Sequence, residues 1–267
     1  MICSYIRPRR PAESRRFPAA GPQRRRRNFA RASPIGATIK RAPAQRPAAA
    51  NKEPVMPSSR SRAAAALEDL RQEARACRAC PLWKNATQTV FGEGPAPAPV
   101  MMVGEQPGDK EDLAGKPFIG PAGLMLDRAL EEAQIDRDKV YVTNAVKHFK
   151  FVPRGKLRLH QKPATPEIRA CRQWYERERA TVKPKLVVAL GATAAQSVLG
   201  KITPINRNRG RLIAIDDGAQ ALVTVHPSYL LRLPDEASRA REYARFLDDL
   251  KLVSDFLQNG RRGADAA

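Results

Sequence analysis

The chain has 267 residues, 42% of them hydrophobic, which allows one large domain or two small ones with a buried core. Its formal net charge of +21 points to an anionic partner, nucleic acid or a membrane surface, yet no run approaches the roughly 20 apolar residues that span a bilayer. Four cysteines (Cys3, Cys77, Cys80 and Cys171) are too few and too irregular for a secreted disulfide scaffold and fit a reducing cytoplasm.

The first 62 residues are rich in Arg, Pro and Ala, include Arg24-Arg25-Arg26-Arg27, and set 16 Lys/Arg against Glu13 and Glu53, a net +14. The remaining residues carry only +7, so most of the charge is tail. This composition buries too little apolar surface to offset its ordering entropy, and disorder is expected over 1–62. The segment reads as a nonspecific DNA-binding arm or as an over-extended gene start with Met56 the first residue. Its prolines oppose an amphipathic transit peptide, and no apolar secretory run follows Met1.

A folded domain is expected over 63–258, with a disordered end at 259–267. Ala63 to Ala76 reads as a helix that runs into Cys77-Arg-Ala-Cys80-Pro81. Four short apolar runs follow as strands: Val100–Val103, Val140–Thr143, Leu186–Leu190 and Ala221–Val225. Helices are expected over Ala122–Ala133, Pro166–Arg179, Gly191–Leu199 and Ala237–Leu257. Strands alternating with helices predict an α/β fold, three-layer α/β/α, with a central, mainly parallel four-stranded sheet. Functional loops then sit at the carboxyl ends of the strands.

The unusual residues stand there. Gly104-Glu105-Gln106-Pro107-Gly108-Asp109 follows the first strand, Asn144 and Lys147-His148 the second, and His226-Pro227-Ser228 the fourth. Taken singly, these read as turn chemistry and a satisfied histidine; together they describe one ligand crevice. Gly104–Gly115, Pro117-Phe118-Ile-Gly-Pro-Ala-Gly123, Val142–His148 and His226–Arg232 resemble the uracil-DNA glycosylase superfamily, iron–sulfur branch. Within it they look most like the UdgX group, whose specific mark is a basic loop ending in histidine, here Lys156-Leu-Arg-Leu-His160. That group carries two adjacent arginines before the histidine, and Leu157 stands in place of the first.

The resemblance implies excision of an extruded uracil from DNA. It makes Phe118 the stacking face and Asn144 the reader of the uracil edge, whose amide offers a donor and an acceptor. It sets His226 on the uracil carbonyl, where a donor stabilises charge on the departing base. Glu105 and Gln106 are expected to face the sugar cation, and His160 to attack its C1′ as a neutral imidazole, ending the reaction on a covalent bond. Lys156, Arg158, Ser228 and Arg232 are implied DNA contacts. Without the resemblance Phe118 reads as core, Asn144 as a turn residue and His160 as a phosphate contact.

Cys77, Cys80, His148 and Cys171 form the implied ligand set of a [4Fe–4S] cluster. Their spacing suits tetrahedral zinc equally well, and only the resemblance favours iron–sulfur. The expected protein is a monomeric, cytoplasmic, nucleoid-associated bacterial enzyme acting on uracil-containing DNA, single-stranded DNA included, with no membrane. A conventional multiple-turnover glycosylase and a noncatalytic iron–sulfur DNA-binding module are the two rivals.

Overall fold

The computed structural model describes residues 58–215 and 218–265; the predicted tail up to residue 57 lies outside them. Helix α1 (Ser59–Arg75) begins four residues before the expected start because Ser58 caps it, its hydroxyl accepting the Ser61 N–H. The apolar runs form β1 (Val100–Gly104), β2 (Val140–Asn144), β5 (Leu186–Leu190) and β7 (Gln220–Thr224). All four pair in parallel in the order β2-β1-β5-β7.

The sheet has five strands, not four. Leu212–Ala214 adds β6, antiparallel to β7, at the edge. Three residues with one half-buried side chain give too short an alternation to stand out in sequence. Residues 151–160, expected as loop, are a separate two-stranded hairpin of β3 (Phe151–Arg154) and β4 (Leu157–His160). Gly155, at φ +58°, takes the first central turn position, where a type II′ hairpin prefers glycine.

Both sheet faces are covered. Strand alternation sends Met101, Val103, Tyr141, Val187 and Val223 into one cluster with α1, α4 (Thr165–Val182) and α5 (Ala192–Leu199). Val100, Met102, Val142, Val188 and Leu222 enter the other. That side is covered by α3 (Pro121–Glu132), α7 (Pro227–Leu231) and α8 (Glu236–Asp265). Helix α8 runs past the expected helix end at Leu257. Short α2 (Asp109–Ala114) follows the β1 turn, and α6 (Ile205–Asn208) precedes β6. The layered α/β/α arrangement is the expected one, and it opens its crevice where β1, β2 and β7 end.

Candidate active site

Asn144 ends β2 beside Gly104, which ends β1. A Cβ on Gly104 would lie 2.3 Å from Asn144 Oδ1 and 2.7 Å from Phe118 Cζ, so only glycine lets both side chains close over the strand end. Asn144 is 2% exposed, and its Nδ2 is buried with no hydrogen-bond partner among the described residues. An orphaned buried donor costs about 1–3 kcal/mol, which a ligand acceptor would recover.

Phe118 lies across this strand end at φ +57°, an uncommon angle for a bulky residue. Two neighbours hold it there. The buried Glu111 carboxylate accepts the Gly108 N–H; burial raises its pKa, and the backbone N–H groups of Gly108, Phe118, Ile119 and Gly120 oppose the rise. Gly123 lies under the Phe118 carbonyl, where a Cβ would come within 1.7 Å. Glu111 was not singled out in the sequence, although a glutamate three residues after Gly108 at a helix start is a visible signal.

His226 completes the pocket, its ring 6.1 Å from that of Phe118. The Ser228 N–H donates to His226 Nδ1, so the neutral ring carries its proton on Nε2. Burial, then Arg232 and His160, push its pKa down to about 4. Arg232 Nη1 donates to Ser228 Oγ, which lies 2.9 Å from His226 Nδ1. Ser228 and Arg232, expected on DNA, thus also brace the histidine from behind.

The hairpin brings His160 to Glu105, with Nε2 3.4 Å from Oε1. Thr193, in the first turn of α5, donates to the other Glu105 oxygen at 2.5 Å; an ordinary threonine gave no sequence signal for this. Burial lowers the His160 pKa, with Glu105 opposing, so the ring is neutral near pH 7.

Two of the expected site residues are engaged within the protein. Gln106 does not face the sugar site: its Oε1 accepts from Lys150 N–H, and its Nε2 donates to the carbonyls of Lys150 and Gln161. The buried amide staples both legs of the hairpin. Arg158, expected on DNA, turns inward in this structure. It donates to Asp109 and the fully buried Asp112, and its guanidinium lies over Phe149 and Phe151. Lys156 stays exposed at the turn.

The profile of the Uracil DNA glycosylase superfamily matches residues 91–251. The chain belongs to this superfamily. A Type-4 uracil-DNA glycosylase of Thermotoga maritima is 36% identical over 194 residues, 72% of this chain and 95% of that protein. One of Sulfurisphaera tokodaii is 32% identical over 177 residues, 63% of this chain and 77% of that protein.

Of the four predicted ligands, the three cysteines lie near one another in this superfamily member. Burial pushes the Cys171 thiol up to about 12 and also raises Cys80; Cys77 and Cys80 each add to the rise at Cys171, so the three sulfurs feel one another. Sulfur acceptors are supplied with donors, Lys147 N–H to Cys171 and Trp174 Nε1–H to Cys77, both 3.2 Å. His148 Nε2 lies 3.1 Å from Thr89 Oγ1, whose hydroxyl proton goes to Ala74 O. Nε2 must therefore donate, and the neutral ring keeps a lone pair on Nδ1. Among the described residues, no three His, Cys, Asp or Glu side chains converge on a single-ion site.

Between pocket and sulfurs lies a buried network. Lys147 Nζ, fully inaccessible, donates to Glu178 Oε2 (2.5 Å), Thr143 Oγ1 (2.5 Å) and the Asn144 carbonyl (2.8 Å). Glu178, from α4, also accepts from Gly92 N–H and the Tyr141 and Thr143 hydroxyls. A cleft of about 400 Å³ between α4 and the α5–β6 segment, lined by Arg172, Val198 and Ile213 among others, contains none of these groups.

Proposed function

We propose that the protein excises uracil from DNA, single-stranded DNA included, and remains bonded to the sugar through His160. For the base, the supporting observation is the unpartnered Asn144 Nδ2 at the strand end that Phe118 covers. Uracil offers that donor a carbonyl and offers Oδ1 an N–H. Cytosine reverses both and leaves buried groups unpaired. The neutral His226 Nε2–H meets negative charge as the C1′–N1 electron pair departs with the base.

The observation that carries the covalent step is His160 Nε2, 3.4 Å from Glu105. A neutral imidazole keeps one lone pair, and Glu105 beside Nε2 holds the ring. Two electron-rich groups then flank a space suited to a cationic sugar carbon. The lone pair bonds to C1′, the displaced uracil leaves as an anion, and the alkylated ring sheds its remaining N–H proton to solvent. Such an N-glycosidic bond resists water, so turnover ends.

Cys77, Cys80, His148 and Cys171 would hold a [4Fe–4S] cluster; the N–H donors on two sulfurs and the open His148 Nδ1 suit that role. When bound, it would supply a clamp between the end of α1, the segment after β2, and α4.

The test is incubation with uracil-containing single-stranded DNA followed by a denaturing gel. A shifted, heat-stable band that disappears in His160→Ala is expected. Free abasic product from repeated turnover by the unaltered protein refutes the covalent step, and untouched DNA refutes the glycosylase.

A further inference from the structure

The β3–β4 hairpin has two faces, and the site described above uses one. Pairing places Phe151, Pro153, Arg158 and His160 on the side held to the body by Asp109, Asp112 and Glu105. The opposite side carries Val152, Leu157 and Leu159, which are 49%, 65% and 38% exposed. One exposed aliphatic needs no explanation. Three on one face of a two-stranded ribbon, adjoining the reacting groups, form a patch that water disfavours.

The charge around the patch says what it meets. Residues 145–166 contain six Lys/Arg and no Asp or Glu. Of these, Arg154, Lys156 and Lys162 are exposed beside the aliphatics. Cations fit phosphates, and aliphatic side chains fit the faces of bases and deoxyribose. Extruding one nucleotide also leaves its neighbours partly unstacked, so apolar protein surface there replaces lost stacking.

We infer that the outward face of the hairpin, with Leu157 its most exposed side chain, is a platform for the unstacked bases that flank the extruded nucleotide. The inference rests on the uracil-excision reading and adds a base contact that is neither the uracil pocket nor a phosphate contact. Leu157 acts on bases, so its contribution requires that the flanking nucleotides have them.

The experiment compares the unaltered full-length protein with Leu157→Ser and Leu157→Met. Each is bound to single-stranded DNA carrying one 2′-fluoro-2′-deoxyuridine, which resists excision, and to the same strand with two abasic nucleotides on each side of it. On the ordinary strand Leu157→Ser is expected to bind roughly fivefold more weakly, with Leu157→Met close to unaltered. On the abasic-flanked strand the three proteins bind alike, and the salt dependence is the same for all. Leu157 is exposed, so serine there alters stability little. Equal loss on both strands, or no loss on the ordinary one, overturns the inference. Uracil release by the unaltered protein is read in parallel on a strand carrying plain deoxyuridine. Its absence overturns the functional reading and this inference with it, whereas normal release without a Leu157 effect overturns this inference alone.

Discussion

Arg158 separates two accounts of the basic hairpin, as a phosphate contact or as an internal latch. Its guanidinium donates to Asp109 Oδ1 at 2.5 Å, Asp112 Oδ2 at 2.6 Å, and Thr87 Oγ1 and the Asp109 carbonyl at 3.1 Å. Arg158→Met keeps the aliphatic stem but leaves the buried Asp112 carboxylate with the Thr87 N–H as its remaining donor among the described residues. Removing one partner of a fully buried pair costs about 3–5 kcal/mol. Arg158 is 20% exposed, so water offsets part of the loss and about 2–3 kcal/mol is expected. The cost falls on hairpin docking, because Arg158 and Gln106 are what attach the ribbon to the β1 turn. At 1.36 kcal/mol per tenfold, that is roughly a 30- to 150-fold loss of the docked arrangement. In single-turnover assays reading uracil release and gel-shifted adduct from the same samples, release should stay within about threefold while adduct formation drops at least tenfold. Hydrogen exchange of the hairpin amides should rise in step. Arg158→Met/Asp112→Asn should recover part of the loss, since no buried charge is then stranded. Unchanged exchange, with a salt slope of DNA binding reduced by about one, would refute the latch and restore the phosphate contact.

Asn144→Ala should slow single-turnover uracil release by about 10²-fold, the loss of two hydrogen bonds to the base. Thermal melting should barely move, because the deleted amide already has an unpartnered nitrogen. Acidification should uncouple excision from trapping. The His160 pKa is lowered, so its neutral form outlasts a free imidazole and is lost only below the usual range near 6.5, whereas His226 stays neutral to about 4. Adducts per uracil released, quantified on gels between pH 7 and 5, should therefore fall before release does. Lys147→Met should strand the buried Glu178 carboxylate among neutral donors and cost about 3–5 kcal/mol. A melting-temperature drop of roughly 10 °C, measured calorimetrically, is the expected sign.

The sheet was legible because parallel strands covered on both faces read as continuous apolar runs, and Leu186–Leu190 was placed to the residue. The pocket was legible for a related reason: Gly104, Asn144 and His226 each stand at or just past a strand end, where parallel topology gathers loops. What stayed hidden depends on pairing register. The alternation of Arg158 and His160 against Leu157 and Leu159 was visible in the sequence, but which side faces the body is decided by Gln106, Asp109 and Asp112, dozens of residues away. Gln106 and Arg158 were accordingly given outward roles, whereas their hydrogen bonds point into the protein. Glu178 was invisible for a stronger reason. On a helix with glutamates also at positions 167 and 176, nothing local marks the one whose partners lie 31 to 86 residues distant.

Those distant partners explain how an unsatisfied Asn144 is tolerated. A buried amide with a spare donor drifts toward any acceptor unless its backbone is fixed more strongly than the 1–3 kcal/mol at stake. The segment after β2 is fixed on every side. Ala145 and Val146 donate to the carbonyls of Gly104 and Glu105, Lys147 N–H goes to Cys171, and Lys147 O accepts from Val90. Lys147 Nζ then takes the Asn144 carbonyl itself, with Glu178 balancing its charge. A hydrophobic plug of the same volume would pack as well and cost less desolvation, but it would offer that carbonyl no directional donor. The buried ion pair is therefore better explained as the device that aims the base-reading amide than as a source of net stability.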